Sequence, residues 1–143
     1  MDTNPALEPR RLTGPRTVLN EGHEAFRDTV RRFFDRHVIP FHRQWERDGI
    51  VPRGVWREAG AAGILCPLLA EEYGGAGADF GYSAVVIEEI ARTNCTGPGF
   101  PLHSDIVVPY IEDLARPERK REWLPGMAAG EIIGAIAMTE PGM

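Results

Sequence analysis

Phe26, Val30, Phe33, Phe34 and Val38 recur at i, i+4, i+7, i+8 and i+12. A repeat of 3.6 residues places all five on one face of a helix. Asn20 stands where an N-cap is needed, and Glu21 and Glu24 follow in the first turn, where carboxylates suit the helix dipole. Arg27, Arg31, Arg32 and Asp35 fill the remaining faces and are expected in solvent. Pro40 ends or kinks the helix, because it lacks a backbone donor and its ring clashes with the preceding turn.

The same reading carries down the chain. A short helical piece around Trp45 is closed by Gly49. A helix over 54–62 follows, with Val55, Ala59 and Ala62 on one side and Gly63 as its stop. Asp79 caps a helix reaching Thr93, with Ala84, Val86, Ile87, Ile90 and Ala91 expected inward. Another spans 101–115, with Leu102, Ile106, Tyr110 and Leu114 on one stripe and a bend at Pro109. The last opens near Pro117, a favoured first-turn position. It turns Trp123, Leu124 and Met127 inward, becomes irregular near Pro125 and stops by Gly130.

Residues 130–143 break the pattern. An isoleucine-rich apolar run, opened by Gly130 and closed by Pro141-Gly142, reads as a buried strand. The chain supplies no partner strand, so this run reads as a stray strand at the threshold of a second domain. The expected organisation is all-α: a loose arm over 1–19, a multi-helix domain over 20–131, and strand and turn over 132–143.

Composition narrows the class. Of the 143 residues 43% are hydrophobic and 26% charged, as in an ordinary soluble globular protein. The net charge of −5, with acids and bases interspersed, argues against a nucleic acid or an anionic membrane as main partner. Cys66 and Cys95 form neither a metal spacing nor a disulfide framework, which suits a reducing compartment. No apolar run approaches about 18 residues, the length of a membrane span. The N-terminus shows no signal-peptide core, so a cytoplasmic location is expected.

No constellation of residues performs chemistry by type and spacing alone. Gly74-Gly75-Ala76-Gly77 lacks the Lys-Ser/Thr ending of a phosphate-binding loop and follows no strand, so it reads as a connecting loop. His23, His37, His42 and His103 do not pair at metal-binding spacings and are expected in surface or capping roles. Ser83 and Ser104 lack the glycines of a nucleophile elbow. Glu88 and Glu89 point in different directions from adjacent helix positions, as on a solvated face. Met138-Thr139-Glu140-Pro141-Gly142 alone combines a hydroxyl with open backbone groups at a strand end, which can present donors to a planar polar ligand.

The order of motifs says more. Val38-Ile39-Pro40, then Tyr73-Gly74-Gly75-x-Gly77, then Arg119-Lys120-x-x-Trp123-Leu124-Pro125, then Gly130-Glu131-x-x-Gly134-x-x-Ala137-Met138-Thr139-Glu140-Pro141-Gly142 together resemble the N-terminal half of the acyl-CoA dehydrogenase family. The stretch from Asn94 through Ile106, with Gly134 to Met138, is most similar to the long-chain branch. The resemblance implies a helical N-terminal domain followed by a β-domain and a four-helix bundle. It also implies FAD as cofactor in a tetramer of the complete protein, acyl-CoA as substrate of fatty acid β-oxidation, and electron-transfer flavoprotein as acceptor. Acyl-CoA oxidases and flavin monooxygenases share this architecture, and a non-catalytic interaction or acyl-binding domain is a further alternative.

By that resemblance, Ile136, Ala137, Met138 and Thr139 match the strand beside the flavin. Residues 97–104 match the far end of the acyl-tail pocket, with Pro98, Gly99, Phe100 and His103 as its candidates. The family continues past Pro-Gly with a small residue and Gly-Ser-Asp, whereas this chain gives Met143. The catalytic glutamate therefore falls outside the chain, no residue here is assigned to catalysis, and the chain alone is expected to be inactive.

Overall fold

The computed structural model describes residues 18–139 and Gly142. Among them, six α-helices pack as one bundle: α1 (Glu21–Phe33), α2 (His42–Asp48), α3 (Arg53–Ala61), α4 (Phe80–Thr93), α5 (Val108–Leu114) and α6 (Pro117–Ala128). A single 3₁₀ turn, Glu71–Tyr73, opens the glycine loop. The expected all-α architecture is what forms. Asn20 caps α1 as expected, accepting the His23 N–H while the His23 ring accepts from the Asn20 N–H. Asp79 caps α4 by accepting the Gly81 N–H.

Two π-turns, Phe34–Val38 and Leu102–Val107, extend α1 and lead into α5. In each, the closing bond is made by the residue just before a proline. Ile39 N–H bonds to Phe34 O ahead of Pro40, and Val108 N–H bonds to His103 O ahead of Pro109. Both are i to i−5 bonds, which widen the turn that a following proline ring would otherwise crowd. Pro109 thus sits in the first turn of α5 and no break is needed there. Pro125 likewise leaves α6 regular through Ala128, contrary to the irregularity expected at it. The carbonyl left without a donor belongs to Arg121, an exposed residue, where water can replace the missing N–H.

The core gathers Phe33, Phe34 and Val38 from the start of the bundle, Trp56 and Ala59 from α3, Val85 and Val86 from α4, Phe100, and Leu124 and Met127 from α6. Phe100 stands edge-on to both Phe34, with centroids 6.4 Å apart, and Trp56, at 5.0 Å.

Charge placement departs from expectation. Arg27 is 8% exposed and Glu89 only 1%, although both are expected in solvent. They bury each other: Glu89 Oε1 takes Arg27 Nη1 at 3.3 Å and Arg31 Nε at 3.0 Å, and Glu89 Oε2 takes Arg92 Nε at 2.6 Å. Arg27 Nη1 also meets Glu88 Oε2 at 2.8 Å. Drawing Glu89 inward rotates α4, so Ser83, Val85, Val86 and Glu89 form its buried face and Ile87 is exposed. Trp123 also lies outside, under the Arg119 guanidinium at 5.3 Å.

The expected strand is not formed. Residues 133–139 have no regular secondary structure, because a strand is stabilised by a neighbour to pair with, and the described chain offers none. Residues 1–17 of the expected arm and residues 140, 141 and 143 of the expected turn lie outside the described residues.

Phe100→Ala should cost about 3–5 kcal/mol, the range for emptying an aromatic site in a close-packed core. Urea unfolding of the two proteins measures it. A loss below about 1 kcal/mol would mean that Phe100 is not a core residue.

Candidate functional site

The chain leaves α6 through a tight sequence of restraints. Glu131 N–H and Ile132 N–H both bond to Gly126 O, at 2.8 and 3.0 Å, and Arg53 donates to Glu131 O at 3.2 Å. Gly130 adopts φ +71, and a Cβ there would stand 2.1 Å from the Trp56 carbonyl oxygen. Only glycine lets the backbone turn that close to α3.

The last of these restraints is a histidine. His103 is fully buried, and its two ring nitrogens hold backbone groups from different parts of the chain. Nδ1 accepts the Gly134 N–H at 2.9 Å, and Nε2 lies 3.1 Å from Met127 O. A carbonyl only accepts and an amide N–H only donates, so the partners require the neutral tautomer with its proton on Nε2. Trp56 packs edge-on against the ring at 5.3 Å, and Cys66 Sγ lies 3.5 Å from Nε2. Burial pushes the imidazole pKa below its ordinary value of 6.5, outweighing the bond to Met127.

Cys66 is held at φ +52, its N–H donating to Ser104 Oγ at 3.0 Å. Burial is the main reason its thiol pKa rises to about 12. It is therefore a neutral packing group beside His103, not a nucleophile. Asp105, raised above the usual carboxylate value chiefly by burial, accepts the Ser83 hydroxyl.

Beyond Gly134 the described chain makes no further hydrogen bond. Ile136 is 42% exposed and Met138 74%, and Ala137 and Thr139 are exposed as well. The four expected cofactor-side residues thus lie together on an open run whose backbone groups meet no partner among the described residues. The acyl-tail candidates are placed otherwise. Phe100 belongs to the core, His103 to the clamp, and Pro98 is buried, while half-buried Gly99 has open space where a side chain would stand.

The stripe of Leu102, Ile106, Tyr110 and Leu114 faces out. Together with Asp105, Pro109 and Asp113, three of its members, Ile106, Tyr110 and Leu114, line a groove of ≈ 500 Å³. Periodicity locates that stripe but cannot say which side of the helix meets the core. The clamp at His103 escapes a sequence reading because an isolated histidine on an apolar helix carries no spacing signal.

The remaining motifs are structural. The amides of Gly74, Gly75 and Gly77 are spent on the carbonyls of Glu71, Ala70 and Leu69, so the loop offers no anion cradle. His42 is buried and accepts the Gly97 N–H at 3.0 Å rather than standing on the surface. His23 does cap, and its Nε2 reaches Asp79 at 2.8 Å. No cluster of metal-ligating side chains occurs among the described residues.

Residues 20–131 match the family model for the acyl-CoA dehydrogenase N-terminal domain. The long-chain specific acyl-CoA dehydrogenase, mitochondrial, of Rattus norvegicus is 50% identical over 129 residues, which are 90% of this chain and 30% of that protein. A crystal structure of an acyl-CoA dehydrogenase from Geobacillus kaustophilus superposes with a TM-score of 0.83 at 45% identity, covering 89% of this chain and 33% of that one. A glutaryl-CoA dehydrogenase from Mycobacterium smegmatis, in complex with FADH2, gives 0.78 at 27% identity, over 87% of this chain and 32% of that one. The chain thus spans about a third of the length of the proteins it matches.

His103 gives the stability a signature in pH. Its folded pKa lies below the unfolded 6.5, so its contribution is complete above that value and is lost as pH falls through 6.5 towards the folded one. The nearby Cys66 thiol stays neutral throughout. Asp79 and Glu89, whose pKa values lie below the ordinary 3.8 and 4.5, lose their share only in more acid solution. Asp105, raised above the ordinary 3.8, works in the opposite sense, so the test is the difference between two proteins. From neutrality towards the carboxylate range, urea midpoints should fall more steeply with falling pH in the wild type than in His103→Asn. An equal slope in both proteins would rule the assignment out.

Proposed function

Since the chain belongs to the acyl-CoA dehydrogenase family, matching its N-terminal domain, we propose that it serves FAD-dependent α,β-dehydrogenation of acyl-CoA thioesters, long-chain ones foremost. The observation that carries this is the match of residues 20–131 to the family's N-terminal domain, with the exposed run 135–139 following directly on it. The 50% identity with the rat long-chain enzyme supports the substrate class. The complex of the glutaryl-CoA dehydrogenase with FADH2 supports the cofactor.

The residues present fit one edge of a flavin and no more. Ile136, Ala137 and Met138 would lie along the ring system, with the Thr139 hydroxyl and neighbouring amides bonding to its polar rim. FAD, when bound, supplies the acceptor for the hydride leaving the β-carbon. This chain's part is to position and to exclude water. Its buried acids are tied to arginines or to Ser83, and none is proposed as the base that takes the α-proton.

The far end of the acyl tail is proposed at Gly99, where open space leaves room for a long chain, with the buried Pro98, Phe100 and His103 behind it as its wall. Electron-transfer flavoprotein as acceptor and a tetrameric assembly rest on the family. A reducing compartment, cytoplasmic by the sequence reading, suits two buried free cysteines, although the rat relative is named as mitochondrial.

In the intact protein that carries this domain, anaerobic addition of palmitoyl-CoA should bleach the visible band of the flavin. These 143 residues alone should purify colourless. A yellow isolated domain would overturn the division of the cofactor site, and bleaching by short thioesters only would overturn the substrate class. Gly99→Gln should move the chain-length preference towards shorter tails. Its backbone strain at φ +67 affects all substrates alike, so an unchanged profile would take Gly99 out of the tail's path.

A further inference from the structure

We propose that His103 is a positioning residue for the cofactor edge: its imidazole ties Gly134 to α6 and so fixes where the run 135–139 leaves the helical body. This rests on the proposed reading of Ile136 to Thr139 as flavin-facing. Its own basis is geometric. The ring joins two backbone groups, 31 and 24 residues away in sequence. It has no exposed surface, so its part at the tail's end is to hold the wall in place rather than to touch the chain.

Three observations make the tie directional. Among the described residues the Gly134 bond is the last one before five exposed residues, so any slip there moves the whole run. Gly134 itself is seated without slack: a Cβ would stand 2.7 Å from Val107 Cγ1 and 2.8 Å from Met127 Cε. The π-turn ahead of Pro109 engages the His103 carbonyl through Val108 N–H, holding the backbone from which the ring projects. Ring, seat and carbonyl partner thus come from segments that also form the core, and the edge inherits their rigidity.

The two ring bonds can be separated by substitution. In His103→Asn the side-chain oxygen stands near the place of Nδ1 and can still accept from Gly134. In His103→Gln the amide nitrogen stands near the place of Nε2 and can still donate to Met127, while the acceptor for Gly134 is gone. Gly134→Ala attacks the same tie from the other side without touching the histidine.

The experiment is hydrogen exchange of the Gly134 amide in this chain, paired with flavin retention and flavin absorbance in the intact protein. His103→Gln and Gly134→Ala should speed exchange at position 134 about tenfold, the loss of one hydrogen bond. Amides of α1 and α4 should stay protected. Both variants should then release flavin more readily or shift its visible band, and His103→Asn should restore wild-type behaviour. Unchanged exchange at Gly134 in the Gln variant overturns the proposal. Faster exchange with an undisturbed flavin leaves the tie standing and overturns the flavin-facing reading of the run. Loss of protection throughout α1 and α4 in all three variants would make His103 a general core residue and likewise overturn it.

Discussion

A carboxylate brought almost completely out of water holds the two longest helices together. Glu89 would be an expensive charge to bury alone, and removing one partner of such a group commonly costs several kcal/mol. Arg27, Arg31 and Arg92 offset that cost from three directions and occupy both its oxygens. The arrangement sets the rotation of α4 against α1, because no other phase brings Glu89 to Arg27. The turn through Cys95 and Gly97 follows from where α4 ends, and with it the start of the helix that carries His103.

The prolines do a second kind of organising. Each of the two wide turns anticipates a proline, so the ring falls where the ladder has already been rearranged. Around Pro40 the outcome is a break, with residues 39–41 forming a turn before α2. Around Pro109 it is continuity, with the helix kept while the face presented to the core shifts. That shift puts His103 and Ser104 inside and Leu102 and Ile106 outside. Wide turns of this kind recur near functional sites, and here one lies under the clamp.

Much of the fold is legible in the sequence because it rests on local rules. Asn20, Asp79 and Gly49 cap or stop helices for reasons contained within a few residues. The facing of the helices is less so. Periodicity finds a stripe but not its direction, and Leu102, Ile106, Tyr110 and Leu114 lie on the open side. Arg27 and Glu89 defeat a local reading because the partner that makes burial tolerable is 62 residues away. The run 132–139 has the composition of a strand, but a strand exists only as half of a pair. His103 has no local signal at all, since its role is defined by two backbone groups that meet only in the folded chain.

The buried thiols lend the molecule a practical property. Cys66 is locked in a left-handed conformation, screened from solvent and held neutral up to about 12, and Cys95 is buried as well. These are the only two cysteines in the sequence. A maleimide dye added at neutral pH would find little to react with. A cysteine introduced at Thr139 would then be the fast-reacting position, and a fluorophore attached there would report on the free run without altering the helical body.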